Sequence, residues 1–556
     1  MLLAIAGFVA TAGAVDGFHL NCFISARAQQ GRQLSVANSD SSEFIKPSGS
    51  TQSGTATRGK RSMALGKHDE IFNWTKQWYP VVVEEDTDAG KPHEIQLLGK
   101  RLVLWKGSTG EWACFKDRCP HRAAPLSEGR VEKDGTLRCT YHGWRYDVAG
   151  TCVQIPQSDR GGKDEAHPAA CASVYPTQVR QGMVWVWAES GPDAVLESSL
   201  TPPNIVSEMD DEEGIKAGLV VPLTLAHRDI GYSWETLGEN IMDPSHLSVA
   251  HHGIVGDRVK DAVPLPKTLE KPHVTKVCSI DFMLCLCVSL CLCARLSLFV
   301  CLCVCIDTHI SGGVMINMKL WGTPTRPGWV RLFGRQCFLG DYRQSTAQSA
   351  GLPRSDAELG LYLLPRLTTM VPRWVGHLYG SFFFHQDVAL LHGQERAFAA
   401  EGHDSVSYPE AVYTPTSADR APLAMRRWIA KYGGGGPTYD SECQLTLPPR
   451  LEHKDLFDVY NQHTKDCTTC LAALKRINQL LGAAKVSFVL SLCWTMLRAS
   501  RAVATSAPTS PVLNPVAVRA MLPGIGMGMA SLGAVKGLQF IQGLFYTYSF
   551  NHQDNE

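Results

Sequence analysis

Residues 119–144 read CPHRAAPLSEGRVEKDGTLRCTYHGW. Cys119 and His121 form a C-x-H pair, Cys139 and His142 form C-x-x-H, and seventeen residues separate the two pairs. Short β-like runs bounded by turns flank them: RLVLWK (Arg101–Lys106), WACFK (Trp112–Lys116) and WRYDV (Trp144–Val148). Two hairpin tips, each offering one thiolate and one imidazole, fit a [2Fe–2S] centre in which Cys119 and Cys139 hold one iron and His121 and His142 the other. Replacing two anionic thiolates by neutral imidazoles removes negative charge at one iron and raises the reduction potential. A single zinc ion is the competing occupant, since two Cys and two His are a legal zinc set. The C-x-H pair and the flanking Pro120 and Gly143–Trp144 favour the cluster.

Downstream, YSWETLGENIMDPSHLSVAHHG begins at Tyr232 and contains D-x-x-H-x-x-x-x-H as Asp243, His246 and His251. Asp243 and His246 are three apart and would share a helical face. His251 lies five beyond His246, roughly 140° around an ideal helix, so both histidines reach one ion only if the helix breaks between them. Two His and one carboxylate in facial arrangement leave open positions on Fe(II). The carboxylate is expected downstream at Asp387, in SFFFHQDVALLHGQE, where an apolar strand-like run meets a polar helix-like one; Glu395 and Asp404 are rivals. Asp243 reads as a group that orients an imidazole and relays an electron from a neighbouring cluster histidine.

The chain has 556 residues, and 53 Lys plus Arg balance 53 Asp plus Glu, which gives no bulk electrostatic case for nucleic-acid binding. With 44% hydrophobic and 19% charged residues it reads as globular, and its long polar middle excludes a polytopic transporter. Residues 1–67 open on MLLAIAGFVATAGAV and continue Ser/Thr/Gln/Arg-rich; an organelle presequence fits better than a secretory signal, because no basic residue precedes the apolar run. Eight of the 19 cysteines crowd into residues 278–306, CSIDFMLCLCVSLCLCARLSLFVCLCVCI. Cys alternating with Leu or Val is what a translated TG repeat yields, so this insert is expected to be retained non-coding or low-complexity sequence without function. Near the C-terminus, Val486–Leu497 is short for a membrane span and Met521–Phe550 long enough, about 20 apolar residues being required; GIGMGMASLGAV suits close helix approach in lipid. Cys467 and Cys470 form a C-x-x-C that reads as two spare thiols, as a zinc site with His463 that is short of ligands, or, preferred, as a redox pair open to thioredoxin.

The cluster motif, ENIMDPSHLSVAHHG and the HQD at 385–387 resemble the Rieske non-haem iron oxygenases. More narrowly, QWYPVVVEED, LLGKRLVLW, DRCPHRAAPLSEGRV, IPQ, ACASVYPTQVRQGMVWVW, WGTPTRPGWVRLFGRQ and HTKDCTTC resemble the plastid pheophorbide a oxygenase subfamily, over residues 70 to 480 without the insert. The resemblance implies an α+β fold: a Rieske β-sandwich domain (70–195), a helix-grip-like α/β catalytic domain (200–440), a CxxC tail (441–480) and C-terminal membrane helices (481–556). It implies head-to-tail homotrimers in which one subunit's cluster feeds the next subunit's iron through Asp243, with reduced ferredoxin as donor. It further implies a thylakoid or inner envelope location in the chloroplast. The implied reaction is O₂-dependent opening of the pheophorbide a macrocycle. Hydroxylation of protochlorophyllide or a phyllobilin, and a non-catalytic electron-transfer role at an import complex, stand as alternatives. A flat substrate would want a broad apolar pocket, to which Phe382–Phe384 and Trp321 are candidates, though core packing is the preferred reading of each.

Overall fold

A computed structural model describes residues 71–339 and 370–552, apart from 207–208, 218–219, 244, 255–256, 265–272, 275–278, 288–290, 300–302, 310–314, 505–514 and 551. The expected presequence lies outside these residues.

The N-terminal part is built of three small antiparallel sheets. His93–Leu97, Lys100–Lys106, Trp112–Lys116 and Val174–Tyr175 form one in that order. The short strands Arg130–Val131, Leu137–Arg138, Arg145–Tyr146 and Cys152–Gln154 form a second, from which the cluster loops project. Trp78–Val83 pairs with Met183–Trp187, which pairs with Thr177–Arg180. Strand Lys100–Lys106 buries Leu102, Val103, Leu104 and Trp105 completely. A run apolar on both faces is a strand sandwiched between layers.

The second part centres on an eight-stranded antiparallel sheet. Its spine is the long hairpin Met315–Arg326 and Trp329–Leu339, with Val220–Pro222 and Ala226–Ile230 paired to the second arm. The cysteine-rich stretch, expected to be a low-complexity insert without function, runs as strands Ser279–Cys287, Cys291–Phe299 and Cys303–His309, which continue this sheet outward. Alternating Cys with Leu or Val is a period of two, the strand period, so the low complexity that marks it as foreign also fits it to a sheet.

Against the sheet lie helix α1 (Trp234–Met242), followed by the single turn α2 (Leu247–Ala250), and the long helix α3 (Arg373–Ala400), with α4 (Arg420–Lys431) packed on α1. One core runs through both parts: Tyr79, Leu97 and Leu102 belong to the same buried cluster as Leu320, Leu332, Val388 and Met425. At its centre the Trp74 ring meets Trp234 edge-on at 5.0 Å and Trp428 at 6.3 Å. Burying one indole removes about 150–250 Å² from water, about 4–6 kcal/mol at ~25 cal/mol per Å², so these tryptophans bind the two parts into one body.

Helices α5 (Thr468–Ala504) and α6 (Pro515–Leu544) pair along their length. Both are long and apolar enough to cross a membrane over Thr468–Ala502 and Val518–Leu544. The first was expected to be short. Its apolar register continues upstream of Lys485, so the helix is set by residues from 468 onward rather than by Val486–Leu497 alone. Gly528 is where α6 closes on α5, since a Cβ there would meet Ser491 Oγ at 3.0 Å. One turn on either side, Gly524 abuts Thr495, and Ser487 and Ser531 hydroxyls lie 2.9 Å apart. Small residues let the backbones approach and hydroxyls satisfy one another across the seam. Away from the seam, Val489, Leu490, Met496, Leu497, Met527 and Met529 are exposed.

Candidate metal centres

The two cluster loops are built alike. In each, the cysteine N–H donates to the carbonyl five residues on (Cys119 to Ala124, 2.8 Å; Cys139 to Trp144, 2.9 Å). The cysteine carbonyl in turn accepts from the N–H four residues on (Ala123, 2.9 Å; Gly143, 3.0 Å). The fourth residue has a left-handed backbone in both, φ 59° at Ala123 and 80° at Gly143. Alanine there carries a steric cost that glycine does not. Cys119 and Cys139 are buried and their imidazole partners only partly so. The His121 and His142 rings lie 4.5 Å apart, and His121 stacks on Trp144 at 4.7 Å.

Tyr146 Oη lies 3.2 Å from Cys119 Sγ. The facing Cys119 thiol, helped by backbone N–H groups of Tyr141 and His142, pulls Cys139 down to about 6, and the same pairing pushes Cys119 up. His121 Nδ1 is buried with no hydrogen-bond partner, as a nitrogen reserved for a metal would be. Among the described residues two groups of three or more donors gather within 4.8 Å, and these four residues are not one of them. That spread suits two bridged irons and not one zinc ion.

The second centre starts where α1 ends. Asp243 was expected to share a helical face with His246; instead α1 stops at Met242 and Asp243 is extended (φ −95°, ψ 105°). The next residue in sequence is Pro244, whose ring disfavours helical geometry at the residue before it. His246 and His251 then sit at the two ends of the single turn α2, so the helix break needed for both to face one point is present. Asp387 comes from α3. The SFFF run before it, expected as strand, is helical throughout, because its buried positions His377, Ser381, His385, Val388 and His392 follow the three-to-four spacing of one helix face.

His246, His251 and Asp387 gather their donor atoms within 4.8 Å. Asp387 Oδ2 lies 3.1 Å from His251 Nε2 and 4.0 Å from His246 Nε2. His251 Nε2 is nonetheless buried without a hydrogen bond: close to the carboxylate but out of line with it, as two ligands of one ion are. The far nitrogens are both held, His246 Nδ1 by the Asp243 carbonyl and His251 Nδ1 by Gln386 Oε1 at 2.8 Å. This fixes the tautomers and leaves each Nε2 free for a metal. Phe383 stacks on His251 at 4.1 Å with planes 11° apart. The donor set, two imidazoles and one carboxylate, suits ferrous iron.

A profile of the Rieske [2Fe–2S] domain matches residues 77–176, and one for pheophorbide a oxygenase matches residues 305–405. Flavonoid 8-hydroxylase 2, chloroplastic, of Ocimum basilicum is 31% identical over 509 residues, 87% of each chain. Pheophorbide a oxygenase, chloroplastic, of Oryza sativa subsp. japonica is 32% identical over 438 residues, 76% of this chain and 77% of that one. This chain belongs to the pheophorbide a oxygenase family of Rieske oxygenases. Protochlorophyllide-dependent translocon component 52 of Arabidopsis thaliana is 28% identical over 450 residues, 74% of this chain and 75% of that one. The oxygenase is thus a chloroplast enzyme whose cofactors are a [2Fe–2S] cluster and a mononuclear iron.

The remaining candidates of this oxygenase fall elsewhere. Glu395 accepts from the Ser233 N–H at 3.0 Å and pairs with Arg396; Asp404 accepts from the Val406 and Ser407 N–H groups in a surface turn. Neither lies with the His246, His251 and Asp387 donors. Trp321 is fully buried in a core cluster and donates to the Asn204 carbonyl at 3.3 Å. Cys467 and Cys470 are buried at the start of α5, in company with His377 and His463. Sequence reading missed Gln386 and His377, and offered Phe383 for a substrate pocket rather than for the face of His251 on which it stacks. Gln386 sits inside the quoted HQD, but nothing in its spacing shows that its amide turns to a histidine 135 positions away.

Proposed function

We propose that this oxygenase takes a chlorophyll-derived tetrapyrrole as substrate and opens the pheophorbide a ring, with ferredoxin as electron donor. The observation that carries the reading is the gathering of His246, His251 and Asp387 in a chain that also holds the cluster motif and is 32% identical to a pheophorbide a oxygenase. When bound, the cluster supplies electrons singly and the mononuclear iron supplies the dioxygen chemistry. The residues around them position and shield. Gln386 and the Asp243 carbonyl hold the two imidazoles, and Phe383 excludes water from one face of His251. Arg118, Arg122 and Arg130 are exposed around the His121 loop, a basic rim that suits an acidic donor.

The Asp243 carboxylate is about a third exposed and fixed by the Ser245 N–H (2.8 Å) and hydroxyl (2.5 Å). A partly open carboxylate beside an iron ligand is where a neighbouring subunit's cluster histidine would dock in a head-to-tail trimer. Asp243→Asn is therefore expected to leave both iron centres loaded and slow reoxidation of the reduced cluster by O₂ and substrate at least tenfold; unchanged reoxidation would remove the relay. The exposed apolar flanks of α5 and α6 support anchoring in a thylakoid or inner envelope membrane.

The match to a flavonoid 8-hydroxylase over 87% of both chains favours a second reading, hydroxylation of a smaller aromatic ring. Purified full chain, reduced ferredoxin and O₂ incubated in parallel with pheophorbide a and with a flavone separate the two. An opened, red macrocycle supports the first; no product from pheophorbide but a hydroxylated flavone supports the second.

A further inference from the structure

We propose that His377, His463, Cys467 and Cys470 form a tetrahedral site for one zinc ion, distinct from both iron centres. His377 Nδ1 lies 3.3 Å from His463 Nε2, 3.3 Å from Cys470 Sγ and 3.5 Å from Cys467 Sγ. His463 Nε2 is 3.3 Å from Cys470 Sγ, and all four donors fall within 4.8 Å of one another. A zinc tetrahedron with Zn–N of about 2.0–2.1 Å and Zn–S of about 2.3 Å has edges of about 3.3–3.8 Å, which these separations match. His377 and His463 are 3% and 4% exposed and both cysteines 0%.

A disulfide between Cys467 and Cys470 would leave two imidazole nitrogens aimed at one another in a dry pocket with nothing between them. A divalent cation satisfies both nitrogens and neutralises both thiolates. The surroundings are those of a metal site. The other nitrogen of His377 lies 3.6 Å from Asp86 Oδ2. Asp86 is fully buried and held by Arg373 (2.9 Å) and Thr469 Oγ1 (2.6 Å), so a buried carboxylate stands near the far nitrogen of His377, just beyond hydrogen-bond reach. The Cys470 N–H points at Cys467 Sγ at 3.4 Å across the first turn of α5, as in zinc knuckles built on C-x-x-C.

The site joins three elements distant in sequence: the 3₁₀ turn Glu84–Asp86, α3, and the foot of α5. His377 and Asp387 are ten residues apart on α3, about 15 Å along its axis at 1.5 Å per residue, so the ion would be structural and would set the position of the helix that carries the iron carboxylate. It does not rest on the substrate reading above.

The test is metal analysis of the full chain, purified in detergent under anaerobic reducing conditions, incubated with zinc sulfate and desalted. About one zinc per chain is expected beside about three irons. A thiol-specific mercurial should release that zinc at two equivalents while the cluster's visible spectrum persists. Cys470→Ser and His463→Ala should each lower zinc at least tenfold with iron content kept. Wild-type protein holding less than a tenth of a zinc per chain, or holding Cys467 and Cys470 as a thioredoxin-reducible disulfide after the zinc incubation, would overturn the assignment even if the variants fail to fold.

Discussion

Gln386 decides which nitrogen of His251 is free. With Oε1 accepting at 2.8 Å, the Nδ1 proton is fixed and Nε2 faces Asp387. Gln386→Leu keeps the volume and removes the acceptor; mononuclear iron should bind about 10–100-fold more weakly, read by chelator competition, with the cluster spectrum unchanged. Glu235 makes a pH-dependent prediction. Its Oε2 is sealed from solvent without a partner, and burial pushes the acid from 4.5 up to about 7. The folded state therefore prefers the protonated form, so the group costs nothing below about pH 4.5, increasingly more as pH rises, and a constant amount above about 7. Glu235→Gln should raise the melting temperature at pH 8, by about 1–3 kcal/mol of stability, with the gain fading toward pH 4.5; an equal gain at every pH would contradict the burial argument. His246 and His251 were legible because their spacing follows a cluster motif in one chain. Gln386 and His377 were not, because what they do depends on partners more than 80 residues away that only packing reveals.

At the level of elements, the sequence misled where two periods compete. Three consecutive phenylalanines favour a strand by propensity, yet Phe382–Phe384 lie within a 28-residue helix whose buried positions continue on both sides of them. Cysteine alternating with leucine points to low complexity, and in the structure that alternation becomes sheet. The Gly-rich stretch of α6, in contrast, could be read directly, since only residues without bulk let two helices close to the distance found at Gly528. Gly528→Leu should pry α6 from α5, which proteolysis of the detergent-purified chain would report as faster cleavage between the helices. Undiminished protection would mean that the seam contributes little to their pairing.

Across the whole molecule, the chain after α6 returns to α3, the helix that carries Asp387. Phe545 is fully buried and its carbonyl accepts from Thr464 at 2.8 Å. The Tyr548 carbonyl meets His385, and His552 Nε2 lies 2.7 Å from the Gln386 carbonyl. Ending the chain at Thr547 is expected to leave the cluster intact and lower mononuclear iron occupancy, since it strips the contacts behind Gln386; full occupancy in that truncation would show the tail to be dispensable. No local pattern in the last twelve residues announces this return. It follows from α5 and α6 forming a hairpin whose two feet both stand on the catalytic body. With that hairpin seated in lipid, as proposed above, a greasy reactant would reach the body by lateral diffusion in two dimensions. Saturation of the enzyme should then track moles of reactant per mole of lipid, and diluting the vesicles with empty bilayer should slow it while diluting with buffer should not.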